Sequence, residues 1–217
     1  MCFSANASFA AGALLLGISA FTLKAARTPA EQPLAAIPLL FGLQQLCEGA
    51  IWLGFSHEAP IIKPILTHVY SFFSHVLWPI YVPLAVLLLE PAGKRRRAMR
   101  WFMGVGIAVA LYLLAIIAKY PIIAQPVGKH IEYISPHFLA PLTMMLYLIA
   151  VTLTPMLSSH RWVVLFGVTA LFSFVAAYVF YMNWFISVWC LFMALLSGII
   201  VLHFRARRGR AAPSLRT

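Results

Sequence analysis

Seven long apolar stretches run through this chain and constrain its fold more than any other feature. A helix needs about 20 mostly apolar residues to cross the hydrocarbon core of a bilayer. The stretches cover residues 5–23, 34–55, 64–89, 101–118, 138–157, 162–182 and 184–203. We therefore predict an all-α fold, a seven-helix transmembrane bundle that forms one domain over residues 1–204. A basic cytoplasmic tail over residues 205–217 is predicted to follow it.

The composition excludes the soluble classes of protein. Of the 217 residues, 63% are hydrophobic and 10% are charged, whereas a soluble domain is about 45–50% apolar and about 25% charged. A chain of this size has too much surface for its volume to hide so many apolar side chains from water. The formal net charge of +11 would otherwise indicate nucleic-acid binding, so the positions of the charges matter.

The basic residues lie almost entirely on one side of the predicted bundle. Thirteen of the sixteen Lys and Arg residues follow the first, third, fifth and seventh stretches, and only Lys63, Lys119 and Lys129 lie on the other side. Because positive loops stay in the cytoplasm, we predict an external N-terminus and a cytoplasmic C-terminus in a bacterial inner (plasma) membrane. The charge then contacts anionic lipid head groups, and no nucleic-acid partner is expected.

Ionisable residues inside the predicted membrane region mark the candidate site, since such groups are costly there. The second stretch carries Gln44, Gln45 and Glu48, with Trp52 one turn later. Gln44 and Glu48 are four residues apart and share a helix face, and the two glutamines are expected to support the carboxyl group.

The third stretch carries His68, Ser71 and His75. At about 100° per residue, His75 returns to within about 20° of His68 on a regular helix. The second and third stretches are antiparallel, so Glu48 and His75 are expected at similar depth and in contact.

The external segments add further polar groups to the same side. The longest loop, residues 119–137, holds His130, Glu132 and His137, and the external N-terminus brings Cys2 to this level. Five of the seven histidines and three of the five glutamates therefore fall in the predicted outer half.

These residues predict a transition-metal site that opens to the outer face. The expected ligands are imidazoles and a carboxylate, from His68, His75, Glu48, His130 and His137. Zinc fits such a set with an open coordination position, and copper fits if Cys2 takes part. The predicted chemistry is hydrolysis or transfer on a lipid or small amphiphile, with Glu48 and His75 as catalytic residues and Glu48 as base. The expected supporting residues are Gln44, Gln45, Ser71, Trp52 and Cys2.

A non-enzymatic function is the alternative. In that case the protein is a receptor, carrier or complex subunit, and its pocket binds a small molecule or cation around Glu48, lined by aromatic side chains. No haem is expected, because only His75 lies deep in the bundle. No retinal is expected, because the seventh stretch has no lysine.

Two segments also resemble a known family. The start Met1-Cys2-Phe3-Ser4-Ala5 and the helix motif Gln44-Gln45-x-x-Glu48-Gly49-x-x-Trp52 are similar to those of small bacterial multi-pass membrane proteins that form a domain family of unknown function, DUF6629. The resemblance implies that Cys2, Ser4, Gln44, Gln45, Glu48 and Trp52 belong to the family's common pattern. It brings no activity with it.

Overall fold

The apolar stretches form helices that are arranged as an antiparallel bundle. A computed structural model of the protein describes residues 4–56, 60–136 and 139–211. The helices are α1 (Ala5–Ala25), α2 (Gln32–Ala35), α3 (Ile37–Ser56), α4 (Ile62–Ser71), α5 (Trp78–Leu89), α6 (Lys94–Lys119), α7 (Ala140–Leu148), α8 (Thr154–Met156), α9 (Arg161–Phe180), α10 (Phe185–Leu196) and α11 (Ile199–Ala211). A 3-10 turn over Met182–Trp184 joins α9 to α10.

Within the described residues, six helical segments are long and apolar enough to cross a membrane. They are Ala5–Ala25, Gln32–Ser56, Ile62–Leu89, Lys94–Lys119, Arg161–Phe180 and Phe185–Arg207. The predicted stretch 138–157 corresponds to a shorter apolar helical segment, Ala140–Met156. The protein is therefore a helical, multi-pass membrane protein, and the seventh crossing and the orientation stay predictions.

The prediction of a purely α-helical fold is wrong at one place. The loop between α6 and α7 forms an antiparallel hairpin of β1 (Ile123–Val127) and β2 (His130–Ile134), with Val127 paired to His130. Gly128 takes φ 62° in the two-residue turn, a conformation that glycine adopts without steric cost and that tight hairpins require.

Two helices contain π-helical segments, and a proline follows each of them by two residues. The segments are Phe72–Leu77 before Pro79 and Ile149–Leu153 before Pro155. A proline ring clashes with the carbonyl four residues earlier, and the wider π turn relieves this clash. Helix α11 continues past residue 204 to Ala211.

Close packing fixes α5 against α6. Pro83 has no N–H to donate to the Pro79 carbonyl, and α6 approaches this carbonyl so closely that a Cβ on Gly106 would overlap it. Only glycine permits such an approach of two backbones. The contact fixes the position of α6 relative to the π segment that precedes Pro79.

The two halves of the bundle differ in their polar content. The basic half contains the start of α6, the start of α9 and the end of α11. In it, Glu31 pairs with Arg207, and its Oε2 accepts from the Arg27 N–H at 2.7 Å. The Glu90 carboxylate accepts from the Ser158 hydroxyl at 3.0 Å. The opposite half, which we call the hairpin half, contains β1, β2 and the candidate site.

Candidate functional site

Glu48 is fully buried in α3 and is joined to α10 by a short hydrogen bond. The Ser187 hydroxyl donates to Glu48 Oε1 at 2.6 Å, a length that is typical of hydroxyl-to-carboxylate bonds. Neither side chain is exposed to solvent. The bond links two helices that are 139 residues apart in the chain, so it fixes the carboxyl group within the bundle.

Among the described residues, neither glutamine of α3 donates a hydrogen bond to Glu48. Gln44 Oε1 accepts from the Trp78 indole N–H at 2.7 Å, and Trp78 stacks on Phe41 with ring centroids 3.7 Å apart. These contacts tie α3 to α5. The side chain of Gln45 is buried, and neither of its polar atoms has a hydrogen-bond partner among the described residues.

His75 lies in the first π segment, and its contacts define its tautomer. Its Nδ1 lies 3.1 Å from the Ser71 carbonyl and 2.8 Å from the Ser74 hydroxyl. A carbonyl only accepts, so Nδ1 carries a proton, and the acceptor of the ring in its neutral form is Nε2. The Ser74 carbonyl also accepts from the Tyr147 hydroxyl at 2.7 Å, which connects this segment to α7.

A cavity of about 330 Å³ lies beneath the hairpin. Its walls come from the first π segment, α6, α7, α9, the 3-10 turn, α10 and β2, and no Asp, Glu, Lys or Arg of the described residues lines it. The polar lining includes Ser74, His75, Thr143, Ser187 and Cys190, and the aromatic lining consists of Tyr112, Tyr133, Tyr147, Phe174, Trp184, Phe185 and Trp189. Glu48 is not a lining residue and reaches the cavity through Ser187.

The structure separates the other candidates on α3 and α4 from this cavity. His68 is partly exposed, and its Nδ1 lies 2.9 Å from the Pro64 carbonyl. Ser71 is buried beside His75 but does not line the cavity. Trp52 packs into a small apolar cluster with Tyr70, Tyr133 and other residues.

His130 belongs to the cover of the cavity rather than to its lining. Its ring stacks on Trp184 with centroids 4.6 Å apart, and it meets the edge of Tyr181 at 5.8 Å. Burial lowers the pKa of His130 below its ordinary value. Its neighbours Ile131 and Tyr133 do line the cavity, so the ring fixes the hairpin over the site.

The predicted metal ligands do not assemble in the part of the chain that the structure describes. Among residues 4–56, 60–136 and 139–211, no three His, Cys, Asp or Glu side chains come together as a possible metal site. The candidates His137 and Cys2 lie outside the described residues, as do His57 and Glu58. The zinc or copper site therefore stays a prediction, without support from the described residues.

Several important residues of the site were not singled out from the sequence. Ser187 and Cys190 are three residues apart in the most apolar stretch and share a helix face. This spacing is a weaker signal than the ionisable residues of the other stretches. Trp184 and Trp189 also line the cavity. The aromatic lining comes from four helices, one strand and the 3-10 turn, and it has no local sequence pattern.

The comparisons identify the family. The family model of a family of unknown function, DUF6629, matches residues 1–216. The chain belongs to this family. No curated protein and no solved structure matches it. The family assignment therefore brings no known activity with it.

Proposed function

We propose that this DUF6629 protein is a non-enzymatic binding protein of a bacterial inner membrane, and that it holds a small, mainly apolar molecule beneath its hairpin. The observation that carries this proposal is the cavity of about 330 Å³ with its aromatic lining. Small-molecule sites are commonly about 300–1,000 Å³ and apolar, with a few polar groups that orient the ligand.

The polar groups of the cavity lie together on one side. His75 and Ser74 come from the π segment, and Ser187 comes from α10, where its hydroxyl is bonded to Glu48. A ligand with an apolar body and one polar group would place that group here. The three residues then set its orientation, while the aromatic rings bury its apolar part.

The packing of α7 favours entry from the bilayer. This helix has no buried residue and packs mainly against α6 and its own π-helical continuation. Its residues Leu142 and Met145 are exposed on the outside of the bundle, while Thr143 and Met144 line the cavity. A membrane-dissolved molecule can therefore reach the site beside α7. By the charge distribution, this part of the bundle lies in the outer leaflet.

The binding test uses tryptophan quenching with 8-bromooctan-1-ol as the probe. Trp184 and Trp189 line the cavity, and bromine quenches indole fluorescence on contact. In nanodiscs we expect saturable quenching for the wild type. Thr143→Phe fills the cavity and should weaken the apparent affinity at least tenfold, while the neighbouring Leu142→Phe should leave it unchanged.

Two results would contradict the binding proposal. One is quenching that rises linearly with the probe and equally in all three proteins, which indicates partitioning into lipid alone. The other is one zinc or copper ion per protein that is lost in His75→Ala. That result would favour the metal-dependent enzyme instead.

A further inference from the structure

Resting on the proposed function, we propose that the ligand is an organic cation with a substituted ammonium group. The aromatic faces of the cavity and the Glu48 carboxylate behind Ser187 would recognise this group. Alkylated ammonium groups are bulky, have an apolar surface and spread their charge over carbon, so they suit an aromatic site that also has a nearby anion.

The aromatic lining presents rings at several angles around one centre. Trp189 meets Phe174 edge-on at 5.3 Å and Tyr147 edge-on at 5.7 Å, and it stacks on Phe185 at 5.5 Å between centroids. Such mixed orientations let faces and edges of different rings border the same space. Ring faces carry partial negative charge and attract cations.

The Glu48 carboxyl group, in its ionised form, has the sign that attracts such a ligand. Among the described residues, no Lys or Arg belongs to the lining, and the carboxyl group of Glu48 is one hydrogen bond away from it through Ser187. In a region of low dielectric constant, a charge at this range acts more strongly than it does in water. An anionic ligand would be repelled by Glu48 and would meet no cationic side chain in the lining.

His75 fits the same ligand. With a proton on Nδ1, the ring in its neutral form has its acceptor at Nε2. The other polar lining groups are hydroxyls, a thiol and indoles, which a cation tolerates. The recognised feature is therefore the charge on an apolar, rounded group, and the rest of the molecule is bound by burial of its apolar surface.

The test compares choline with its neutral carbon isostere, 3,3-dimethylbutan-1-ol. Both compounds have the same shape and hydroxyl group, so they differ in the charge alone. Each competes with 8-bromooctan-1-ol for the wild-type protein in nanodiscs. We expect choline to displace the probe at least tenfold more effectively than the isostere.

Two matched variants locate the source of the preference. Glu48→Gln should reduce the preference for choline to threefold or less. Glu132→Gln removes the same charge from the hairpin, where Glu132 accepts from Gln125 at 2.8 Å, and should retain it. Because Glu132 does not line the cavity, this variant controls for the general loss of negative charge.

The possible failures are distinguishable. Equal displacement by the two compounds, or a preference that survives Glu48→Gln, overturns the cation assignment and leaves the binding function intact. The same holds if 8-bromooctan-1-ol binds saturably and choline does not displace it. If the bromo probe itself shows no saturable binding, the proposed function fails as well.

Discussion

The basic half and the hairpin half treat their buried acids differently. Glu31 and Glu90 in the basic half join segments that are separate in the chain, through Arg207 and Ser158 respectively. Glu48 in the hairpin half is bonded to Ser187, which lines a cavity. The first two acids join helix ends, while the third is bonded to a residue that borders open space.

This difference separates stabilising polar groups from those available for binding. A polar group that joins two helix ends contributes to the free energy of unfolding. A polar group that lines a cavity can form a hydrogen bond with a ligand. We therefore expect substitutions in the basic half and at its packing contacts to affect stability, and substitutions around the cavity to affect binding.

The largest expected effect is at the close contact of α5 and α6. A Cβ in Gly106→Ala would overlap the Pro79 carbonyl, so we expect a loss of about 2–3 kcal/mol of stability from overpacking. Gly104→Ala, on the same helix, meets nothing within 4 Å and should stabilise slightly through helix propensity. Denaturation of both variants in detergent measures the difference. Equal stability would show that the two helices can move apart freely.

A smaller loss is expected at the ion pair of the basic half. Glu31 is buried, while the Arg207 side chain is half exposed, which reduces the contribution of the pair. Glu31→Gln keeps an acceptor for the Arg27 N–H and should cost about 1–2 kcal/mol. A double-mutant cycle with Arg207→Gln isolates the coupling. A coupling energy near zero would remove Glu31 from the stabilising class.

The third expected effect tests Glu48 against Glu31 directly. The amide oxygen in Glu48→Gln can still accept from the Ser187 hydroxyl, so we expect a stability change of about 1 kcal/mol or less. Thermal unfolding beside Glu31→Gln checks this order. If Glu48→Gln is the more damaging of the two, Glu48 is mainly structural and the comparison of the two halves fails.

The smallest expected effect is the pH dependence at the hairpin. Burial lowers the pKa of His130 in the folded state, so the unfolded chain binds the proton more readily. Stability should therefore rise with pH and fall as the pH drops below about 6.5. His130→Phe preserves the stacking partner for Trp184 and should reduce the dependence of the melting temperature on pH between pH 5 and 8. An unchanged slope would exclude His130 as the source.

Much of the fold was predictable because bilayer thickness sets helix length. The described helices end within a few residues of most predicted limits. Six continuous helical segments are long and apolar enough to span a membrane. The hairpin was missed, although Gly128 between two short runs with Ile and Val residues indicates a tight turn.

The site was less predictable because it depends on an irregular helix. His68 and His75 share a face only on a regular helix. The π segment Phe72–Leu77 begins after His68 and contains His75. Each π turn accommodates an extra residue, which shifts the later side chains by about 100°. This explains why His75 lines the cavity and His68 does not. Glu48 and Ser187 are 139 residues apart, and no spacing rule connects them.

The hydrogen bond between Glu48 and Ser187 also orders events during synthesis. Helices α1 and α3 pack extensively, with Phe9 against Gly49 and Leu46 against Gly12, and they leave the ribosome first. Ser187 emerges only with the last apolar stretch. At roughly 5–20 residues per second, the growing chain carries Glu48 for many seconds before Ser187 exists. The cavity is therefore completed last, when α10 enters the bundle.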